Sequence, residues 1–403
     1  MILSYCCLQA GGFEKSFFSR NHTYMKILIA SDHNLSAING VVTSIINLKC
    51  GLEKQGHEVR ILTLSEDRHE RNIRNNYYLG AIHVGIIYPG AKFAIPKKHR
   101  IIREIIEWKP DIIHSQTEFS VYSSVHYIAK MTGAPIVHTY HTVYENYLHY
   151  FPPAKLVGAR VIYKYIKHIY NQSAAFIVPT NKMVISLNHY GIDGPINIIP
   201  TGIDKDTFSN EPAKYKNEIR RRFGISENDL VLINLGRVAK EKNIEELIDY
   251  VNCLDIDNVK LVIVGDGPYL KKLKLKCNNS DHPERFIFTG MVEPEYAPRM
   301  YCIGDVFVNA STSETQGLSY MEAMSCGLPV LCRNDSCMDG IVIHGKNGFI
   351  YNTKEEFLEY AKKLGDDPGL RRAVGELARK TICDKFSVEA FINACESVYE
   401  SVS

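Results

Sequence analysis

Short apolar runs alternate with amphipathic stretches along most of this chain of 403 residues, and this alternation constrains the fold more than any other feature. A short apolar run predicts a strand buried on both faces, and apolar residues at helical spacing predict a helix that covers it. Strands and helices in alternation predict a parallel sheet with helices on both faces. In the first half the predicted strands are residues 26–31, 59–64, 111–116, 135–140 and 175–180, with the clearest helices at 41–54 and 97–108.

The second half repeats the pattern and predicts a second unit of the same kind. Its predicted strands are residues 230–236, 259–265, 285–290, 306–311 and 329–332, with helices at 243–254, 268–278, 318–325 and 388–402. The fold class is therefore α/β, with two doubly wound Rossmann-like domains facing each other across a cleft. Ligands of such sheets bind beyond the carboxyl ends of the strands, so we expect the active site in that cleft.

The domain boundaries follow from the break in this rhythm. Residues 198–208 carry Pro, Gly and Asp between two regular stretches, so we place the junction there. A chain of this length is also too long for one ordinary core. We predict an N-terminal extension at 1–24, an N-terminal acceptor domain at 25–198, a C-terminal nucleotide-sugar domain at 199–386, and a C-terminal helix at 387–403 that packs back on the N-terminal domain.

The composition excludes several classes of protein. With 45% hydrophobic and 23% charged residues, the chain is typical of a globular protein rather than a disordered or fibrous one. The eleven cysteines are scattered without CxxC pairs, which favours free thiols in a reducing cytosol. No apolar run is long enough to span a bilayer, and residues 1–20 lack the basic leader and cleavage site of a signal peptide. We therefore expect a cytoplasmic protein.

The segment 313–329, SETQGLSYMEAMSCGLP, carries the strongest chemical signal. It follows a predicted strand and opens a helix that Gly327 and Pro329 terminate. Glu314 lies before this helix and Glu322 about one turn inside it, near backbone N–H groups that suit anionic or hydroxyl-rich ligands. Two carboxylates so placed can accept hydrogen bonds from sugar and ribose hydroxyls. The alternative is a surface cap with two solvated glutamates.

This segment resembles the Glu-x7-Glu motif of retaining glycosyltransferase family 4, whose fold is GT-B. The similarity extends to the flanking pattern G-L-x-x-x-E-A-M-x-x-G-x-P-V. The resemblance implies that Glu314 contacts the donor sugar in catalysis and that Glu322 binds the donor ribose. It implies a donor site that also includes the residues between them, Thr315, Gln316, Gly317 and Leu318.

A second motif, residues 235–243 (LGRVAKEKN), places two cations after a predicted strand. A diphosphate leaving group needs such cations because its charge grows as the glycosidic bond breaks. Arg237 and Lys242 are similar to the family's G-R-x-x-x-x-K element, so the resemblance implies that both bind the donor and act in catalysis. The resemblance also implies donor contacts near the nucleotide for Gly265, in a Gly-Asp-Gly turn, and for Val292.

The first half supplies further candidates at predicted strand ends. Gly40 lets the backbone approach a donor closely, and it resembles the family's glycine loop with one glycine where many members have two. Asp32 ends the first strand and is either an acceptor contact or a capping group. His141 matches the family's histidine that hydrogen-bonds the transferring sugar and is assigned to catalysis, while Tyr140 and Glu145 are candidate acceptor contacts.

The co-substrate and acceptor follow from a narrower resemblance. Residues 39–44, 88–91, 138–151 and 200–204 resemble the bacterial 1,2-diacylglycerol 3-glucosyltransferases. That resemblance implies a nucleotide diphosphate sugar, UDP-glucose, as donor and diacylglycerol as acceptor. The sequence has no His, Asp or Glu spacing typical of a metal site, in agreement with the metal independence that the resemblance implies. We expect no nucleic-acid partner.

Charge is unevenly distributed, although the net charge is only +2. Residues 1–190 have a balance of +9 and residues 191–403 a balance of −7. Two basic amphipathic stretches, 96–108 and 155–168, fall in the positive half. Such helices can lie on an anionic membrane, although each also fits an ordinary surface helix. Together with the resemblance they predict peripheral contact with the inner face of the cell membrane.

Other functions fit parts of this pattern. The acceptor could instead be phosphatidylinositol, a cell-wall polymer or a soluble glycan. A sugar-nucleotide epimerase can share the fold, and an inactive lipid-binding relative is a third class. The combination of two motif glutamates with Arg237 and Lys242 argues against both of these classes.

Overall fold

The structure, a computed structural model, describes residues 23–83, 92–94, 100–144, 157–209 and 214–403. These residues form two compact units. The first consists of the described residues up to Gly202 together with Val388–Ser403, and the second of those within Ile203–Ser387. Some sequence predictions lie outside the described residues, namely those for residues 1–22, 88–91, 96–99, 145–151 (which include Glu145) and 155–156.

The first unit contains an eight-stranded sheet within the described ranges. Its elements are β1 Lys26–Ala30, α1 Gly40–Lys54, β2 Glu58–Leu64, β3 Arg71–Ile73, β4 Asn76–Leu79, β5 Ala81–His83, β6 Lys92–Ala94, α2 Arg100–Trp108, β7 Ile112–Ser115, α3 Ser120–Thr132, β8 Ile136–Thr139, α4 Val157–Gln172, β9 Ala175–Val178, α5 Asn181–His189 and β10 Asn197–Ile198.

The strand order of this sheet is β10-β9-β8-β7-β1-β2-β4-β3, and β5 pairs separately with β6. The strands are parallel except for the antiparallel pair β3–β4. Ile27 of β1 is in register with Val59 of β2 on one side and with Ile112 of β7 on the other. The order therefore reverses at β1. The loops after β1 and β7 meet at this switch point, where parallel sheets bind ligands.

The second unit contains a six-stranded, wholly parallel sheet within the described ranges, with the order β13-β12-β11-β14-β15-β16. The order reverses at β11, which lies between β12 and β14. The unit's elements are α6 Lys205–Ser209, α7 Lys214–Arg222, β11 Leu230–Leu235, α8 Ile244–Asn252, β12 Val259–Val264, α9 Leu270–Asn278, β13 Phe286–Gly290, α10 Ala297–Cys302, β14 Val306–Asn309, α11 Leu318–Ser325, β15 Val330–Arg333, β16 Gly348–Tyr351, α12 Lys354–Asp366 and α13 Pro368–Lys385.

The central strands β1 and β11 are mostly apolar because both of their faces are buried. In β1, Ile27 and Ile29 pack into one core cluster while Leu28 and Ala30 pack into another on the opposite face. The second of these clusters also buries Ile101, Ile102 and Ile105 of α2. The apolar face of α2 is therefore occupied by the core of its own unit.

The last helix, α14 Val388–Val402, belongs to the first unit and packs on α1. A Cβ atom built on Gly51 of α1 would lie 2.3 Å from Cγ1 of Ile392, so only glycine allows this approach. Beside it, the buried ring of His57 accepts a hydrogen bond from the N–H of Met25 at Nδ1. The same ring contacts the Glu396 carboxylate through Nε2 at 2.6 Å. The helix is thus held by close packing and by a buried polar contact.

We predict that Gly51→Leu lowers the free energy of unfolding by about 1–3 kcal/mol, because the new side chain overpacks the contact between α1 and α14. Ile392→Ala should remove part of this loss when it is combined with Gly51→Leu, since it opens space at the same point. Denaturant unfolding of both single variants and the double variant measures the coupling. Strictly additive losses would contradict the contact.

A second contact of α14 involves the buried ring of His114, whose protonation links the stability of the first unit to pH. His114 of β7 is buried, and its ring contacts the Tyr399 hydroxyl through Nδ1 at 2.6 Å and the Thr139 hydroxyl through Nε2 at 2.7 Å. Burial is the main cause that lowers the pKa of His114 to about 3, and the nearby His138 and His141 rings lower it further. The ring is therefore neutral in the folded chain at neutral pH.

We predict that His114 makes the first unit less stable in acid. The unfolded chain binds a proton at the ordinary pKa of about 6.5, while the folded chain does not, so stability falls as pH drops from about 6.5 toward 3. The slope is up to about 1.4 kcal/mol per pH unit for one ring. The difference in unfolding free energy between the wild type and His114→Gln should therefore shrink between pH 7 and pH 4. A constant difference would show that the ring is not held neutral.

In the part of the chain that the structure describes, no helix is long and apolar enough to cross a bilayer.

Candidate active site

Close backbone packing fixes the carboxyl ends of β11 and β12 in the second unit. A Cβ atom on Gly265 would lie 1.9 Å from the carbonyl oxygen of Gly236, and both residues have positive φ angles, +137° and +150°. The N–H of Gly236 donates to the carbonyl of Val264 at 3.0 Å. Gly265, predicted as a donor contact, is therefore also required by this packing. The loop that carries Arg237 and Lys242 starts from this fixed point.

The two predicted cations of this loop are both held by carboxylates. The guanidinium of Arg237 pairs with the carboxylate of Glu241, four residues further along the chain. The ammonium of Lys242 lies 2.6 Å from Oε1 of Glu314, and both side chains are largely shielded from solvent. This pair joins the loop after β11 to the loop after β14, at the switch point of the sheet. The structure thus brings together two residues that the sequence analysis assigned from separate motifs.

The loop from Glu314 leads into α11 through a left-handed glycine. Gly317 has φ +71°, and a Cβ there would lie 2.8 Å from the ring of Tyr320 and 2.7 Å from Met338. Its neighbour Gln316 is buried, and the amide nitrogen lies 3.4 Å from the sulfur of Met321. Thr315 and Leu318, on either side of these two residues, are half-buried.

Glu322 is held inside α11 by a residue that the sequence analysis did not single out. The hydroxyl of Tyr301 donates a hydrogen bond to its Oε2 at 2.8 Å. Burial raises the pKa of Glu322 above its ordinary value, while the bond from Tyr301 opposes the shift. Val292, after β13, is partly buried against the core cluster that contains Tyr301. Nothing in the local sequence pairs Tyr301 with Glu322, since they lie on different helices.

In the first unit, Asp32 caps α3, a helix that begins 88 residues later in the sequence. Its Oδ1 accepts hydrogen bonds from the Ser120 hydroxyl at 2.7 Å and from the N–H of Val121 at 3.0 Å, in the first turn of α3. Its Oδ2 accepts from the Thr117 hydroxyl at 2.7 Å. Burial raises the pKa of Asp32, although these hydrogen bonds oppose the shift. The capping alternative therefore describes its contacts in the structure, and an acceptor contact remains a prediction.

His141 lies just beyond β8 and is half-buried. Its Nε2 lies 2.7 Å from the side-chain oxygen of Gln116, in the loop after β7. Burial is the main cause that lowers its pKa to about 3, with the His138 and His33 rings lowering it further. The imidazole is therefore neutral at physiological pH. It can exchange hydrogen bonds with sugar hydroxyls without adding a charge.

The other predicted residues of this unit have different surroundings. Tyr140 is fully buried, and its ring packs near those of Tyr144 and Phe176. A direct contact between Tyr140 and an acceptor stays a prediction. Gly40 is the exposed first residue of α1, and the side chain of Asn39 caps that helix by accepting from a backbone N–H.

A buried carboxylate, Glu118, was missed by the sequence analysis. Its Oε1 lies 3.1 Å from Nε2 of His138, and its Oε2 accepts a hydrogen bond from the Tyr144 hydroxyl at 2.6 Å. The signal was present in the sequence, because a polar run, Gln116 to Glu118, directly follows an apolar strand. Polar residues at that position lie at the edge where a parallel sheet binds ligands.

The described residues offer no cluster of metal-binding side chains. None of their His, Cys, Asp and Glu side chains cluster in groups of three or more that could hold a metal ion.

Two family descriptions match the chain. Residues 38–207 match glycosyltransferase family 4, and residues 215–381 match glycosyl transferases group 1. The chain is also 34% identical over 393 residues to an α-monoglucosyldiacylglycerol synthase of Acholeplasma laidlawii, which covers 93% of this chain and 96% of that protein. The chain belongs to glycosyltransferase family 4. It is a hexosyltransferase, and the expectation of this family is confirmed.

Two further similarities support the assignment. An α-monoglucosyldiacylglycerol synthase of Streptococcus pneumoniae is 33% identical over 335 residues, which are 81% of this chain and 75% of that protein. The crystal structure of HepE from Anabaena in complex with UDP-glucose superposes with a TM-score of 0.73 at 16% identity, over 94% of this chain and 99% of that one. The predicted fold class is thereby confirmed, since the two Rossmann-like units are those of the GT-B fold.

We predict that Glu322→Ala weakens binding of the nucleotide sugar by about 10-fold or more, because it removes a carboxylate acceptor from the site. Tyr301→Phe should weaken binding less. Its effect should grow as pH falls from 8 to 5.5, since loss of the hydroxyl raises the pKa of Glu322 further and favours the protonated form. Calorimetric titration with UDP-glucose measures both effects.

Tyr320→Phe provides the control for Tyr301→Phe. The Tyr320 hydroxyl is buried on the same helix as Glu322 and has no hydrogen-bond partner among the described residues. Its removal should leave donor affinity unchanged at every pH. Wild-type affinity and pH dependence in Tyr301→Phe would show that the hydroxyl does not support Glu322.

Proposed function

We propose that the enzyme transfers glucose from UDP-glucose to 1,2-diacylglycerol, with retention of the anomeric configuration, at the surface of a membrane. The similarity to the Acholeplasma protein, 34% identity along nearly the whole of both chains, carries the proposal, since that protein is an α-monoglucosyldiacylglycerol synthase. The HepE complex with UDP-glucose supports the choice of donor, because HepE has the same fold.

The residues of the second unit are suited to the donor half of this reaction. The bond between the anomeric carbon and the diphosphate oxygen breaks, and its electron pair stays with UDP. Arg237 and Lys242 then offset the growing negative charge on the diphosphate. In the structure Glu241 and Glu314 pair with these cations and balance their charge.

The remaining contacts concern the sugar and the ribose. Glu314 and Glu322 accept hydrogen bonds from donor hydroxyls, and the neutral His141 contacts the transferring sugar. The new bond forms between the anomeric carbon and the free hydroxyl oxygen of the diacylglycerol, whose proton is released. No metal ion is required in this scheme, because the two cations serve the diphosphate.

Mass analysis of the product tests the proposed reaction. Purified enzyme with UDP-glucose and diacylglycerol in mixed micelles should yield a lipid heavier by one hexose, with an α linkage by NMR. Arg237→Ala and Lys242→Ala should each slow single turnover by about 10²-fold or more at saturating donor. Glycosylation of a different acceptor, with diacylglycerol left unmodified, would overturn the proposal.

Membrane contact in this proposal rests on exposed cations rather than on an apolar helix face. Arg160 and Lys164 are exposed on α4, whereas the isoleucines of α2 are occupied in the core. Sedimentation with vesicles should rise with the content of anionic lipid and fall with salt. Charge reversal of Arg160 and Lys164 should weaken it, while the matched reversal of Lys271 and Lys274, exposed on α9 of the second unit, should not. Equal binding to neutral and anionic vesicles would remove the membrane part of the proposal.

A further inference from the structure

Gln116 and His141 form a side-chain pair in which the hydrogen-bond donor and acceptor can be assigned. Gln116 is buried, and its side-chain oxygen lies 2.7 Å from Nε2 of His141. An amide oxygen can only accept a hydrogen bond, so the ring must donate from Nε2. In a neutral imidazole the other nitrogen, Nδ1, is then an acceptor. The contact therefore selects one of the two neutral tautomers.

The loop after β7 gives His138 a charged partner and His141 an uncharged one. Glu118, two residues after Gln116, places a carboxylate 3.1 Å from Nε2 of His138. His141 instead has an uncharged amide as its partner. A carboxylate partner would stabilise an imidazolium, which donates from both nitrogens and accepts at neither. An amide partner keeps the ring neutral.

The charged and titratable groups around His141 also favour the neutral ring. His33 from the loop after β1 and His138 within β8 both disfavour a positive charge on it. The carboxylate of the β7 loop, Glu118, is bonded to His138 and Tyr144. Burial of the ring acts in the same direction as these two histidines and is the larger cause.

We infer that Gln116 is a positioning residue that holds His141 as the neutral Nε2–H tautomer, so that Nδ1 accepts a hydrogen bond from a hydroxyl of the bound sugar. The inference rests on the proposed function for the presence of a sugar at His141. It adds the atom through which the ring acts and the residue that selects this atom. Gln116→Glu replaces the amide by a carboxylate of the same shape. It should therefore lower activity because the His141 ring becomes protonated, and not because packing is lost.

The test compares wild type with Gln116→Glu and Gln116→Leu. In ¹⁵N NMR of histidine-labelled protein, the wild-type His141 ring should show protonated Nε2 and bare Nδ1 from pH 5.5 to 8. His141→Asn identifies its signals. In Gln116→Glu the pKa of the ring should rise into the measured range. Turnover should then fall about tenfold per pH unit below this new midpoint and recover above it, because only the neutral ring accepts at Nδ1.

The other variants separate positioning from folding. Gln116→Leu removes the acceptor without adding charge and should lower kcat by roughly fivefold at every pH, as expected for one lost hydrogen bond. The double variant Gln116→Glu/His141→Asn should lose the acid limb of the pH profile. A wild-type ring protonated at Nδ1, or an unchanged pH profile in Gln116→Glu, would overturn the inference. The NMR result does not depend on the acceptor, so inactivity toward diacylglycerol would count against the proposed function alone.

Discussion

The reversal of strand order at the first strand of each sheet is the constraint on which the rest of this structure depends. Both faces of the central strands are covered by helices, so polar side chains can collect only where the strands end. At β1 and β11 the strands that follow in sequence lie toward opposite edges of the sheet, and the loops on either side of the reversal diverge at a place where parallel sheets bind ligands. Asp32 and the pair of Lys242 with Glu314 occupy these two points.

Each of these points is built by contacts between two loops rather than within one. In the first unit three consecutive residues after β7 bind four different partners. Gln116 contacts His141, Thr117 donates to Asp32, and Glu118 contacts His138 and Tyr144. In the second unit the ion pair between Lys242 and Glu314 has the same joining role. Side chains fixed in this way lose little further freedom when substrate binds, which favours catalysis by orientation.

The local sequence pattern was sufficient to predict the architecture and to locate the motifs. The predicted helices at 318–325 and 388–402 have the bounds found in the structure. The first is marked by the terminating Gly327 and Pro329. Helix α3 lies between two predicted strands, where a helical stretch was expected, but its bounds were not predicted. Its start is capped by Asp32, about 90 residues earlier in the chain, and no local signal reports such a contact. The bond from Tyr301 to Glu322 was missed for the same reason, whereas Glu118 could have been found from the polar run that follows β7.

The position of α14 in the sequence affects the order in which the two units can fold during synthesis. This helix supplies Ile392 and Tyr399 to the first unit, yet it follows the whole of the second unit in the chain and is synthesised after it. Until then the partners of those side chains on α1 and β7 are uncovered, while the residues of the second unit are already complete. Because synthesis starts at the amino terminus, the second unit can fold before the first unit, whose sequence lies on both sides of it. A chain truncated before Val388 leaves the first unit without α14.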